Sequence, residues 1–203
     1  MRKMFAAACM ICVMLSFFGV SAAHATLAGM TYSAFANDNG LQQISTIGNV
    51  SSGDASASVA LNAMSAGYTG PVAGSGAGAG TYWTAPADTT FRVVFDYAIT
   101  NPYNTLPKSQ NTSFQVYGLN PITYDEPFNF ITYSGSGHFD QTLSLQAGEQ
   151  LSIMVNALGP DGQGGLSVNL SNLDVSAVPI PAAIYLLGPT MLGMVGLRRR
   201  FLG

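Results

Sequence analysis

Outside the first 25 residues the chain offers a single histidine, His138, in the stretch GSGHFD just ahead of a strand-like run. A Ser-His-Asp hydrolase needs such a residue to carry a proton between nucleophile and leaving group. It also needs an activated nucleophile, and no Gly-x-Ser-x-Gly turn accompanies His138, which leaves it as a surface residue. One histidine without cysteine is too little for the usual zinc sites, which take three or four ligands. Paired carboxylates can cleave a glycosidic bond when one is held protonated and the other ionised. The adjacent pair here, Asp125 and Glu126 in YDEPF, suits a solvated turn, because consecutive strand residues point to opposite faces. Calcium is the one ion left open: hard cations take carboxylate, amide and carbonyl oxygens, which NDNG (Asn37, Asp38, Asn39) and GPDGQGG (Asp161) could supply. Neither has EF-hand spacing or a Gly-Gly-x-Gly-x-Asp repeat, and the same residues are favoured in plain turns. Tyr82 and the sole tryptophan, Trp83, stand side by side after a glycine-rich stretch. Aromatic side chains in that position either stack on the apolar face of a sugar ring or anchor the core.

Strands must position whatever chemistry these residues serve. In FRVVFDYAIT, Phe91, Val93, Phe95, Tyr97 and Ile99 alternate with Arg92, Val94, Asp96, Ala98 and Thr100, the period-two pattern of a half-buried strand. The alternation returns at Phe114 and Val116, at Phe139 to Leu145, at Leu151 to Ala157 and at Leu166 to Leu170. QAGEQ, between Leu145 and Leu151, suits a hairpin loop, and GPDGQGG breaks any regular element. MTYSAFA and SVALNAM read as further strands. SAGYTGPVAGSGAGAGTYW, with six glycines from Gly67 to Gly80, reads as a long flexible loop or solvated insertion. The residues Tyr103, Tyr117, Tyr124 and Tyr133 are open to either a core or a surface role. No amphipathic helix of ten or more residues shows in this region, so the fold expected is all-β, an antiparallel β-sandwich of jelly-roll or Ig-like type.

The two ends have a different composition. Arg2 and Lys3 precede an apolar run, and Ala23-His24-Ala25 has the small-x-small pattern cut by signal peptidase, so residues 1–25 read as a signal peptide with a helical core. Cys9 and Cys12 fall inside that segment, which leaves the mature region without a cysteine or a disulfide. From Val178 to Leu197 there are 20 uncharged residues, enough to cross a hydrocarbon core of about 30 Å as a helix, weakened at Gly188-Pro189. Arg198, Arg199 and Arg200 follow as a membrane stop on the cytoplasmic side. Between the ends, residues 26–178 hold all ten acids against only Arg92 and Lys108, a net charge of −8. Such a region is a poor partner for nucleic acid, whose binding depends on neutralising phosphates.

The tail, with its proline-containing signature VPIPAA, apolar helix and terminal arginine cluster, resembles the PEP-CTERM class of bacterial sorting signals. Within that class it is similar to the variant with a Val-Pro-Leu-Pro-Ala signature, Ile180 standing in place of Leu and no Pro-Glu-Pro being present. The match covers Val178 to Gly203. The resemblance implies recognition through Val178, Pro179, Ile180, Pro181 and Ala182 by an exosortase, a membrane-embedded cysteine transpeptidase-like enzyme of Gram-negative bacteria. It implies transient anchoring in the inner membrane, removal of the tail, and release to the cell surface or an exopolysaccharide matrix.

The expected organisation is a signal peptide at 1–25, an extracellular β-sandwich at 26–177 and a sorting signal at 178–203. The leading expectation is a non-enzymatic surface or matrix protein, associated with exopolysaccharide or biofilm matrix and needing no cofactor, with glycan contact through Tyr82 and Trp83. The alternative is a carbohydrate-binding module with a defined, calcium-dependent or calcium-independent sugar site. A secreted hydrolase using Asp125 or Glu126 stands third.

Overall fold

The computed structural model describes residues 29–38, 40–72, 74–102, 112–159 and 164–178. The expected signal segment with Ala23 and Ala25, the sorting residues Pro179 to Ala182, the C-terminal helix with Arg198 to Arg200, and Asp161 lie outside the described residues. Among the described residues no helix is long and apolar enough to cross a membrane.

Twelve strands make up the described part: β1 Thr31–Asp38, β2 Leu41–Ser45, β3 Gly48–Ser52, β4 Ala55–Ala60, β5 Ala63–Tyr68, β6 Ser75–Thr84, β7 Thr89–Thr100, β8 Thr112–Leu119, β9 Asn129–Thr132, β10 Gly135–Leu145, β11 Gln150–Gly159 and β12 Leu166–Ala177. They form two six-stranded antiparallel sheets, ordered β2-β1-β6-β11-β8-β9 and β10-β7-β12-β5-β4-β3. The architecture is the all-β, two-sheet antiparallel sandwich that the alternating pattern predicts. Each strand turns one face inward because its apolar residues recur at period two. Thus Phe91, Val93 and Phe95 on β7, Leu151, Ile153, Val155 and Ala157 on β11, and Leu166, Val168 and Leu170 on β12 are all buried between the sheets.

Three local expectations are corrected. The glycine-rich stretch is not a long loop: its first residues complete β5, and Ser75–Thr84 is β6, hydrogen-bonded to β1 on one side and β11 on the other. Gly76, Gly78 and Gly80 alternate with the buried Ala77 and Ala79, so the period-two pattern is present but carried by very small residues. QAGEQ is not a hairpin loop, because β10 pairs with β7 in one sheet while β11 lies between β6 and β8 in the other. The reason is that Leu143 and Leu145 and then Leu151 and Ile153 must face one shared core from opposite sides. SVALNAM is the end of β4, a turn at Leu61-Asn62 and the start of β5.

The core is graded in side-chain size. Alanines face one another near β1, β4, β5 and β6 (Ala34, Ala36, Ala57, Ala66, Ala77, Ala79), whereas β7, β8 and β10 bring together large rings. Phe95 stacks on Phe139 at 4.7 Å and meets Phe114 edge-on at 5.1 Å. Such pairs add about 0.5–1.5 kcal/mol beyond the area they bury.

The strand assignment of the glycine-rich segment is testable at Gly76. A Cβ added there would stand 2.5 Å from the Ala157 carbonyl oxygen and 2.6 Å from Leu158 Cα, and this backbone cannot step aside. We expect Gly76→Ala to destabilise the protein by roughly 1–3 kcal/mol in chemical denaturation. A flexible loop would tolerate the change, so unaltered stability contradicts the strand.

Candidate functional site

The outward face of the first sheet carries a groove built across β1, β6, β11 and β8. Registers fix its rows. Tyr82 on β6 lies opposite Ser152 on β11, which lies opposite Tyr117 on β8. In the next row Ser33, Gly80, Met154 and Gln115 stand side by side, and in the one after it Phe35, Gly78, Asn156 and Ser113. The cavity over these rows has a volume of about 320 Å³, within the size range of small-ligand sites.

The glycines of β6 open this space. Any side chain at Gly78 would collide with the Phe35 ring, an added Cβ standing 2.5 Å from Phe35 Cε1 and 2.7 Å from Asn156 Oδ1. At Gly80 it would stand 3.3 Å from Met154 Cγ. Phe35 therefore lies down over β6. Tyr117 likewise leans across β11, its hydroxyl donating to Met154 Sδ at 3.7 Å. Tyr82 is 46% exposed at the edge of the cavity. Between the rings, Ser33, Gln150, Ser152 and Asn156 offer hydroxyl and amide groups, and among the described residues no carboxylate or basic side chain lines the space.

Trp83 faces the other way. One residue after Tyr82 the strand's alternation carries it into the core, where it is buried and meets Phe91 edge-on at 6.2 Å. It does not line the groove: of the expected Tyr82-Trp83 pair only Tyr82 does. Phe35 is a groove residue that the sequence reading did not single out, and Tyr117, left open there between core and surface, lines the groove as well. The parity of their strands would have placed them, since Phe35 lies between the buried Ala34 and Ala36, and Tyr117 follows the buried Val116.

The remaining candidates lie elsewhere. Asp125 and Glu126 occupy the exposed β8–β9 turn, where Asn120 N–H donates to Asp125 O at 2.9 Å and Asn129 Nδ2 donates to Glu126 Oε2 at 2.6 Å. Tyr124 is in the same turn, 77% exposed and in the left-handed region at φ 61°. Asp38 Oδ2 accepts from the Asp54 N–H at 3.2 Å, while its Oδ1 is buried without a partner. Among the described residues no three His, Cys, Asp or Glu side chains come together. Val178 continues the backbone bonding past β12, its N–H donating to Thr90 O at 3.0 Å.

The outward face of the second sheet is different in kind. His138 sits within β10, not ahead of it, and its Nδ1 is 2.7 Å from Asp96 Oδ1 on β7. Asn172, at a bulge in β12 with φ 55°, donates from Nδ2 to Asp96 Oδ2 at 2.7 Å. Arg92 holds Asp140 through two parallel bonds of 2.7 and 2.5 Å. The bonds from Asn172 and then His138 hold the Asp96 carboxyl below the ordinary carboxylate range, and the bond from Arg92 does the same for Asp140. Acyl transfer would need a hydroxyl or thiol bonded to this ring, and the contact seen for it is with Asp96.

No protein-family model matches the chain. No curated protein matches it in sequence. Among solved structures, a CBM4 structure is 9% identical with a TM-score of 0.39, covering 72% of this chain and 94% of that one. The N-terminal cellulose-binding domain of the β-1,4-glucanase C of Cellulomonas fimi is 10% identical with a TM-score of 0.39, covering 73% and 90%. A family 29 carbohydrate-binding module complexed with cellulohexaose is 14% identical with a TM-score of 0.33, covering 73% and 91%. At such scores these likenesses carry no argument about the ligand of this chain.

The depressed carboxylates set an acid dependence. A group whose pKa is lowered by folding contributes stability that is complete above its unfolded value and is lost as pH falls through the folded one. The difference in thermal midpoint between the wild type and Asp140→Asn should therefore narrow as pH drops below the ordinary carboxylate range. A difference that stays constant from neutral to strongly acidic pH contradicts the assignment.

Proposed function

We propose that this protein is an exported carbohydrate-binding module, a jelly-roll-type sandwich whose sugar site is the groove of the first sheet. One observation carries the reading: Phe35, Tyr82 and Tyr117 frame a floor of glycine with hydroxyl and amide groups between them, in a cavity free of catalytic acids. Sugar rings present the matching chemistry, with an apolar face for aromatic stacking and a rim of hydroxyls for Ser and Asn or Gln side chains. Binding without turnover is the reading, since the described lining lacks the pair of carboxylates that most glycosidases use.

The test is titration of soluble and polymeric glycans against the wild type and Tyr82→Ala. Loss of one stacking platform should weaken binding roughly tenfold, the equivalent of about 1.4 kcal/mol. Failure of the wild type to bind any glycan, or equal binding by the variant, refutes the site.

We further propose that the module reaches the cell surface or its polysaccharide matrix through the C-terminal signal. The order of signature, apolar run and arginine cluster supports an exosortase route, with Val178 to Ala182 as the recognition residues. Fractionating native cells should yield a surface form shortened at the C-terminus. Intact protein retained in the inner membrane overturns the route.

A further inference from the structure

Taking the groove as a sugar site, we propose that its ligand is an uncharged, equatorially linked glycan chain that lies flat across the strands, from β8 over β11 to β6. The inference rests on the carbohydrate-binding reading and adds linkage, charge and direction to it.

Direction follows from the register. Tyr117, Ser152 and Tyr82 form one row on three neighbouring strands, so the Cα atoms of the two tyrosines are two strand spacings apart, roughly 9–10 Å. An extended chain of equatorially linked pyranoses covers that span with about two residues. Its first and third sugars then present the same face, each to one tyrosine, with the middle sugar over the Ser152 hydroxyl. The rings lie down on the sheet. Tyr117 is held across β11 by its bond to Met154, and Phe35 covers Gly78. Recumbent rings make a floor, which suits a flat ribbon; an axially linked chain coils away from a floor after one or two sugars.

Charge follows from the lining. Its described polar side chains are hydroxyls and amides, Ser33, Gln150, Ser152 and Asn156 among them, and none can neutralise a uronate or sulfate. The region between the two terminal segments carries a net charge of −8, so an anionic chain meets repulsion with no cation among the described residues lining the groove to offset it.

Titration of the full chain with matched oligosaccharides tests both parts. β-1,4-linked glucose and mannose oligomers should bind, with at least a tenfold gain between disaccharide and tetrasaccharide as the second tyrosine is reached. α-1,4-linked glucose oligomers of equal length should bind at least tenfold more weakly, and β-1,4-linked uronate oligomers should not bind. In Tyr117→Ala the gain with length should disappear while disaccharide binding persists. Equal affinity for the α-linked or uronate series, or a tetrasaccharide no tighter than a disaccharide, overturns the inference and leaves the sugar site standing. Absence of binding to every series removes both.

Discussion

The groove depends on the near-absence of side chains along β6. A strand hydrogen-bonded on both sides normally fills its outward face, yet from Gly76 to Gly80 this one presents only hydrogen atoms there. Glycine in a strand interior is destabilising by roughly 0.5–1 kcal/mol relative to alanine, so three in alternation need an offset. Neighbours supply it. Leu158 and Phe35 approach the bare backbone at Gly76 and Gly78 more closely than a Cβ would allow, and Met154 packs tightly over Gly80. The same strand is thin on its inward face, where Ala77 and Ala79 meet the alanines of β4 and β5. Position and depth of the cavity are thus set by one strand, whose first outward side chain of any size is Tyr82.

Support for the tyrosines comes from the thick part of the core. β8, which carries Tyr117 outward, drives Phe114 inward against Phe95, Tyr97 and Phe139. Trp83, inward beside Tyr82, closes on Phe91, which meets Phe128 in turn. Each groove tyrosine therefore stands on a strand anchored, one or three residues away, by a large buried ring. A surface aromatic fixed in this way loses little conformational entropy on binding, because its backbone and its neighbours are already ordered.

Much of this was legible in the residues. Period-two runs of Phe, Val, Leu and Ile identify β7, β8, β10, β11 and β12, and the class of the fold follows from them. β6 was hidden because glycine count outweighs alternation when a segment is judged by composition: SGAGAG has the right period with almost no amplitude. The β10–β11 connection was hidden for another reason. Five residues with a glycine can turn a hairpin or carry the chain from one sheet to the other, and the choice is made by partners far along the sequence, β7 for one strand and β6 for the next. Tyr82 was visible as a candidate and Tyr117 as an aromatic open to either role, but Phe35 and Tyr117 lie 47 and 35 residues from Tyr82 in sequence, and no local motif encodes their meeting.

The distribution of charge separates the two outward faces. On the second sheet Arg92, Asp96, His138, Asp140 and Asp174 stand on adjacent strands, Arg92 paired with Asp140 and Asp96 bonded by both His138 and Asn172. On the first, the outward positions of β1, β6, β11 and β8 read Thr, Ser, Phe, Asn; Gly, Gly, Gly, Tyr, Thr; Gln, Ser, Met, Asn, Leu; and Ser, Gln, Tyr, Leu, with no ionisable acid or base. Solubility alone would favour charge on both faces, since neutral apolar-rich surfaces promote association. A face kept neutral while its tyrosine remains exposed makes sense where the partner is neutral too. A hydroxylated ligand must exchange its bonds to water for bonds to the protein, and neutral amides and hydroxyls allow that exchange without the larger desolvation cost of a charge. On the proposed reading, the charged face favours solubility and the uncharged one is left free to bind.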